Sequence, residues 1–301
     1  MSGHGEPHQP AMTSVSRPTR IIDAHTHLFP PEIVRDRAEF LERDSWFGQL
    51  YASPVIVMVS PEEMIASMDE AGIEMSVICG WPWRDPGLCR IQNDFLADVH
   101  ARFRDRLAWL AIVNPLAAGC AEEIERCANL GASGIGELNA DAQGFAWEEP
   151  AILGAMVEAC RACDVPILIH CSESVGHAYL GKGTATPDKI LRFLEACPDS
   201  RVIAAHWGGG LPFFEMMPEV ARLTTNVVYD SAASTYLYTR NVFHVVEQLV
   251  GSGRIVFGSD YPLLNQKRFL GRTLTSSLSQ AGIADVLANN ADRIFKLTRN
   301  T

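Results

Sequence analysis

Eight short β-rich runs, each separated from the next by a helix-like stretch, constrain the fold of this chain more than any other feature of its sequence. The runs are RIIDAHTH (20–27), MSVICG (75–80), LAWLAIVNP (107–115), ASGIGELN (132–139), VPILIHC (165–171), RVIAAHW (201–207), NVVYDSA (226–232) and RIVFGSD (254–260). Segments such as VPILIH and RIVFG are continuously apolar rather than alternating, the pattern of parallel strands covered on both faces. After the first gap the runs recur at the length of one βα unit, and 301 residues accommodate a (β/α)8 barrel of about 250 residues plus extensions. A doubly wound open sheet has the same alternation, but no G-x-G-x-x-G or phosphate loop follows any run. The expected fold class is therefore α/β, a distorted (β/α)8 TIM barrel spanning 20–301, with residues 1–19 as a disordered tail. The long gap at 28–59, including WFGQLYASPVIVMVS, is expected to be an inserted hairpin or lid at the barrel mouth after strand 1. A helical region over 268–298 closes the chain.

Charge narrows the partners. Acidic residues number 36 against 25 basic, a net charge of -11, and no Lys/Arg-rich run is present. That balance disfavours nucleic acid and anionic membrane. No apolar stretch has the length of a bilayer span, and the first nineteen residues lack the apolar core of a signal peptide. The expectation is a cytoplasmic protein acting on a small molecule, with a homodimer left open. Of eight cysteines, Cys120, Cys127, Cys160 and Cys197 fall in helix-like patterns where a free thiol acts as a small hydrophobe. Cys160 and Cys163 form a C-x-x-C without a second cysteine pair, read as a helix running into a strand.

Polar residues interrupt the strand ends in a regular way. His25 and His27 close the first run, Glu137 the fourth, His170 the fifth, His206 the sixth and Asp260 the eighth. In a parallel barrel all these ends open on one face, so the six groups converge. Together they form an N/O donor set suited to Zn, Mn, Fe, Ni or Co. Residues two apart on a strand share a face, so His25 and His27 can chelate one ion, with Asp23 a step deeper as a supporting group. His100 and His244 lie in helical stretches and read as satisfied structural histidines; His4 and His8 belong to the tail, and His177 is an open substrate contact. Arg84 and Arg90 after strand 2, and Lys182 after strand 5, are the candidate cations for a substrate carboxylate. Trp81, Trp83 and Trp207 are candidate walls for a conjugated ring.

DAHTH, the lone histidine ending strand 5, HWGGG and GSDYP in this order resemble the amidohydrolase superfamily. HWGGGLP, GSDYP and NNADRIFKL resemble its amidohydrolase-2 branch, which includes aminocarboxymuconate-semialdehyde decarboxylase and related decarboxylases and lactonases. The resemblance implies His25, His27, His170 and Asp260 as ligands of one divalent ion, with His206 as a nearby acid/base. Strand 4 lacks the lysine that binuclear members carboxylate. GIGEL instead resembles the TatD-like deoxyribonucleases, where such a carboxylate bridges two metals, so Glu137 joins the candidate ligands. One ion, zinc first among the possible metals, is the expectation. A metal-activated water with Asp260 and His206 in proton transfer gives hydrolysis of an amide, lactone or other ester, and this is the favoured reaction. Non-oxidative decarboxylation of a conjugated acid is the alternative; a TatD-like nuclease and a non-catalytic metal-binding scaffold stand further off.

Overall fold

The computed structural model describes residues 18–297. The tail expected at 1–19 therefore lies outside the described residues, apart from its last two. Eight parallel strands follow one another around the sheet in chain order: β1 (Ile22–His27), β2 (Met75–Cys79), β3 (Leu107–Ala111), β4 (Gly134–Leu138), β5 (Ile167–Ile169), β6 (Val202–Ala204), β7 (Val227–Asp230) and β8 (Ile255–Val256). The seam between first and last is drawn together by backbone bonds, with Ala24 N–H donating to Phe257 O at 2.8 Å and Asp260 N–H to His25 O at 2.9 Å. This is the (β/α)8 barrel expected from the alternation.

The helices between strands follow from local chemistry. Pro61–Ala71 starts at a capping box in which Ser60 and Glu63 satisfy each other's backbone N–H groups, and it stops at left-handed Gly72. Two apolar layers result. Ile22, Val77, Leu110, Leu168, Ile203, Val228 and Val256 belong to one buried cluster with Phe295. A larger one includes Trp109, Ile135, Ile169, Tyr229 and Ile255 from the strands with Met68, Leu96, Ile124 and Phe193 from the helices. No helix among the described residues is long and apolar enough to cross a membrane.

Two local expectations change. The 28–59 segment carries no hairpin; it forms three short helices, Pro31–Arg35, Arg37–Arg43 and Ser45–Tyr51. The last is fixed by the Asp44 side chain, which accepts Phe47 N–H at 2.8 Å. Phe47 and Tyr51, one helical turn apart, stack at 4.6 Å and join Phe29, Phe40, Trp81 and Trp83 in a separate aromatic cluster. Asp23 also departs from simple alternation, because the β1–β2 register shifts between Asp23 and Thr26. Its carboxylate accepts the Ser259 N–H (2.8 Å), the Ser259 hydroxyl (2.5 Å) and the Gln266 amide (2.9 Å). Asp23 thus ties β1 to the segment after β8, and burial raises its carboxyl to about 6 against these bonds.

Candidate metal centre at the barrel mouth

The strand ends bring all six expected groups to one cluster, with His25, His27, Glu137 and His206 buried and His170 and Asp260 half-buried. His25 and His27 present their Nε2 atoms to each other at 3.1 Å. Glu137 stands between the histidines: its Oε2 is 3.5 Å from His25 Nε2 and 3.8 Å from His27 Nε2. Its Oε1 meets His170 Nδ1 at 2.9 Å and His206 Nε2 at 3.1 Å. Asp260 Oδ1 lies 3.2 Å from His27 Nε2. The donors thus form two sets, His25, His27 and Asp260 on one side and His170 and His206 on the other, linked by Glu137.

A seventh polar group, Asp230 at the end of β7, was not among the candidates. His25 Nδ1–H donates to Asp230 Oδ2 at 2.7 Å. The other Asp230 oxygen accepts the backbone N–H groups of His206 and Ala232, each at 2.9 Å. Its position in NVVYDSA closes a strand at the same end as the others, but a lone acid with no motif around it does not stand out from an ordinary strand end.

The electrostatics are those of a site seeking positive charge. Burial opposes the charged form of Glu137, but His25 and His170 outweigh it and hold the carboxyl well below its ordinary value. Asp260, buried against its charged form, is still lowered to about 2 by His27 and His25. Burial disfavours protonated His25, yet Asp230 and Glu137 raise its pKa well above the usual imidazole value. His206, working against burial, is raised to about 9 by its bond to Glu137. Its Nδ1–H donates to Ala232 O at 3.3 Å, so a neutral ring would turn a lone pair toward the Glu137 carboxylate.

These groups fit a divalent cation. Asp230 accepts the hydrogen bond from His25 Nδ1–H and so holds the proton on Nδ1, which in the neutral ring leaves the Nε2 lone pair facing His27 Nε2. Donor atoms confronted this closely need protons or a cation between them, and ionised carboxylates favour the cation. Glu137 with His170 and His206, and His25 with His27 and Cys79, each have the spacing of a metal-holding group.

The outlying candidates fall elsewhere. Arg84 is exposed, with its guanidinium beside Gly144. Arg90 is exposed and pairs with Glu123. Lys182 donates to the carbonyls of Val175 and His177 in its own loop. Trp207 is fully buried, donates to Ser234 Oγ at 2.6 Å and packs edge-on against Phe243. None of these contacts reaches the histidine cluster. His100 and His244 bond to the carbonyls of Leu107 and Ser277, as structural histidines do. Trp81 does border the mouth, packed edge-on to Tyr51 with its indole N–H buried and unpartnered. Tyr51, whose phenol is pushed up by burial and then by Asp260, Cys79 and Glu137, sets this aromatic block beside the cluster.

Barrel, strand-end histidines and terminal aspartate define a metal-type amidohydrolase barrel. The chain belongs to the Amidohydrolase family, whose profile matches residues 22–297. A curated relative, gamma-resorcylate decarboxylase of Polaromonas sp. strain JS666, is 25% identical over 333 aligned positions covering 92% of this chain and 99% of the relative. The solved 5-carboxyvanillate decarboxylase of Sphingomonas paucimobilis superposes with a TM-score of 0.80 at 19% identity, covering 93% of this chain and 100% of that one. A dihydroxybenzoic acid decarboxylase from Polaromonas sp. JS666, solved with manganese and 2-nitroresorcinol, gives 0.74 at 22% identity, covering 93% and 98%. At these identities the structures establish the fold. The relatives correct the favoured reaction: they are named for decarboxylation of aromatic acids, not hydrolysis. The metal named in the Polaromonas structure is manganese, and zinc gains no support from it.

Proposed function

We propose that this chain is a divalent-metal-dependent, non-oxidative decarboxylase of an aromatic carboxylic acid, of the hydroxybenzoate class. The observation that carries the reading is the end-to-end match to gamma-resorcylate decarboxylase. The site's chemistry agrees with it. His25, His27, His170 and Asp260 are the proposed ligands of one ion, with Glu137 as the carboxylate linking the two histidine pairs. When bound, a divalent cation held by these residues would supply positive charge to orient and neutralise an anionic substrate.

The residues supply the proton and the enclosure. The reaction replaces a carboxylate on the ring by hydrogen: a proton adds to the carbon bearing the carboxylate, the C–C bond breaks, its electron pair returns to the ring and CO2 departs. His206, whose bond to Glu137 raises its pKa to about 9, is the group with a proton to give to the ring carbon, while Asp260, lowered to about 2, stays ionised and would help hold the cation. Phe29, Tyr51 and Trp81 form an apolar side that excludes water from the ring.

The test is incubation of the manganese- or zinc-loaded protein with 2,6-dihydroxybenzoate, 5-carboxyvanillate and related hydroxybenzoates, alongside a lactone and ester panel. CO2 release with one deuterium entering the ring in D2O is expected. Turnover confined to the lactones and esters would overturn the proposal.

A further inference from the structure

We infer that Cys79 is a sulfur donor to the ion held by His25 and His27, so that the β1 side of the site is a mixed nitrogen, oxygen and sulfur set. The inference rests on the metal reading above, and its test separates the two.

The register places the thiol there. His27 and Cys79 are direct partners across the parallel β1–β2 pair, so their side chains leave adjacent strands side by side at the mouth end. Cys79 is wholly buried. Its Sγ lies 3.5 Å from His27 Nδ1 and 4.0 Å from His27 Nε2. The sulfur therefore stands within hydrogen-bond reach of the His27 ring and close to the imidazole nitrogen that faces His25. The donor atoms of His25, His27 and Cys79 all lie within 4.8 Å of one another. Asp260 Oδ1, 3.2 Å from His27 Nε2, stands on the same side. Two imidazoles, a thiol and a carboxylate can share one ion, provided the sulfur is a thiolate. In the structure the thiol donates to Thr26 O at 3.2 Å. Ligation breaks the S–H bond, sends that proton to solvent and forms one sulfur–metal bond, with no change of oxidation state.

The other cysteines of the chain have different settings. Cys89, Cys120, Cys127 and Cys160 are on helices, and Cys171 contacts the carbonyl of Ile169. Only Cys79 combines a buried thiol with two facing histidines among the described residues. The consequence is selectivity. Thiolate favours zinc or cobalt, whereas oxygen and nitrogen donors suit manganese.

X-ray absorption on the zinc-loaded full chain tests this, with Cys79→Ser as the variant that keeps a donor to Thr26 O. A sulfur neighbour at about 2.3 Å is expected in the parent and lost in the variant. The ratio of zinc to manganese affinity should fall by about tenfold or more on that substitution, within the range seen when a metal site's supporting partner is removed. Zinc bound by nitrogen and oxygen alone, or a sulfur shell that persists in Cys79→Ser, overturns the inference and leaves the metal reading standing. Failure of parent and variant alike to bind zinc or manganese overturns both.

Discussion

A histidine gives a lone pair to a cation from one ring nitrogen while the group at the other nitrogen fixes the tautomer. Asp230 has that role for His25 and also holds the His206 and Ala232 backbone. Asp230→Asn keeps the shape but makes a weaker acceptor. Metal affinity should fall by about 10–100-fold with the barrel intact, as read by competition with a chromophoric chelator; unchanged affinity would show that His25 needs no carboxylate behind it. Asp260→Asn should lower turnover by about a hundredfold or more with little change in folding, and near-normal activity would remove Asp260 from the chemistry. Of these two aspartates only Asp260 was legible beforehand, because GSDYP is a recognisable string. Asp230 closes β7 in the same geometric position, but a single acid without a motif around it looks like an ordinary strand end. The candidate substrate cations show how far loop residues escape a sequence reading. Sequence places Arg84 and Lys182 on the mouth side of the barrel, but side-chain direction is set by loop conformation, and Lys182 spends its ammonium on its own loop.

At the scale of elements, strands were readable because burial on both faces leaves no alternation to misread, whereas in the insertion after β1 the place was legible and the hairpin was not. Val55 and Val57 are 77% and 57% exposed and pair in no strand. Asp44 as a cap and the helical spacing of Phe47 and Tyr51 decide the conformation instead. The HWGGG segment shows the opposite case, a local string whose meaning is structural. His206 through Gly210 all have positive φ, a left-handed run that turns the chain sharply at the mouth beside His206. A Cβ at Gly209 would lie 2.3 Å from the carbonyl oxygen of Ser172, which is backbone and cannot rotate away. Gly209→Ala should therefore cost about 2 kcal/mol or more, combining overpacking with left-handed strain. Denaturant unfolding reads this directly. A loss smaller than a few tenths of that figure would mean the β5 loop yields freely.

For the whole molecule, the cluster joins β1 to β4, β5, β6, β7 and the segment after β8, so an ion there would fasten the first and last strands of the barrel at once. A ligand that binds only the folded state stabilises it by about 2.7 kcal/mol at a hundredfold excess over its Kd, which corresponds to a rise in Tm of about 5 °C for a chain of this size. The dependence on pH follows from the groups involved. His206 is raised from 6.5 to about 9 in the fold, so its contribution to the metal-free protein is complete below pH 6.5 and lost as pH climbs through about 9. Asp260 is depressed from 3.8 to about 2. Its contribution is complete above 3.8 and lost only as pH falls through about 2, so it does not vary across the neutral range. In the loaded protein the cation replaces the protons that the carboxylates otherwise retain on the histidines. The metal-free form should therefore weaken between pH 6.5 and 9 as His206 gives up its proton. Ion affinity should also strengthen with rising pH, because His25 and His27 are both held above the ordinary imidazole value against burial and protons compete for them. The gap in Tm between manganese-loaded and chelator-treated protein is expected to widen steadily from pH 6.5 to pH 9. Thermal melts at several pH values across that window measure it. A gap that stayed constant or narrowed would mean that protons and metal do not compete for the same buried nitrogens, and the site would have to be assigned a different occupant.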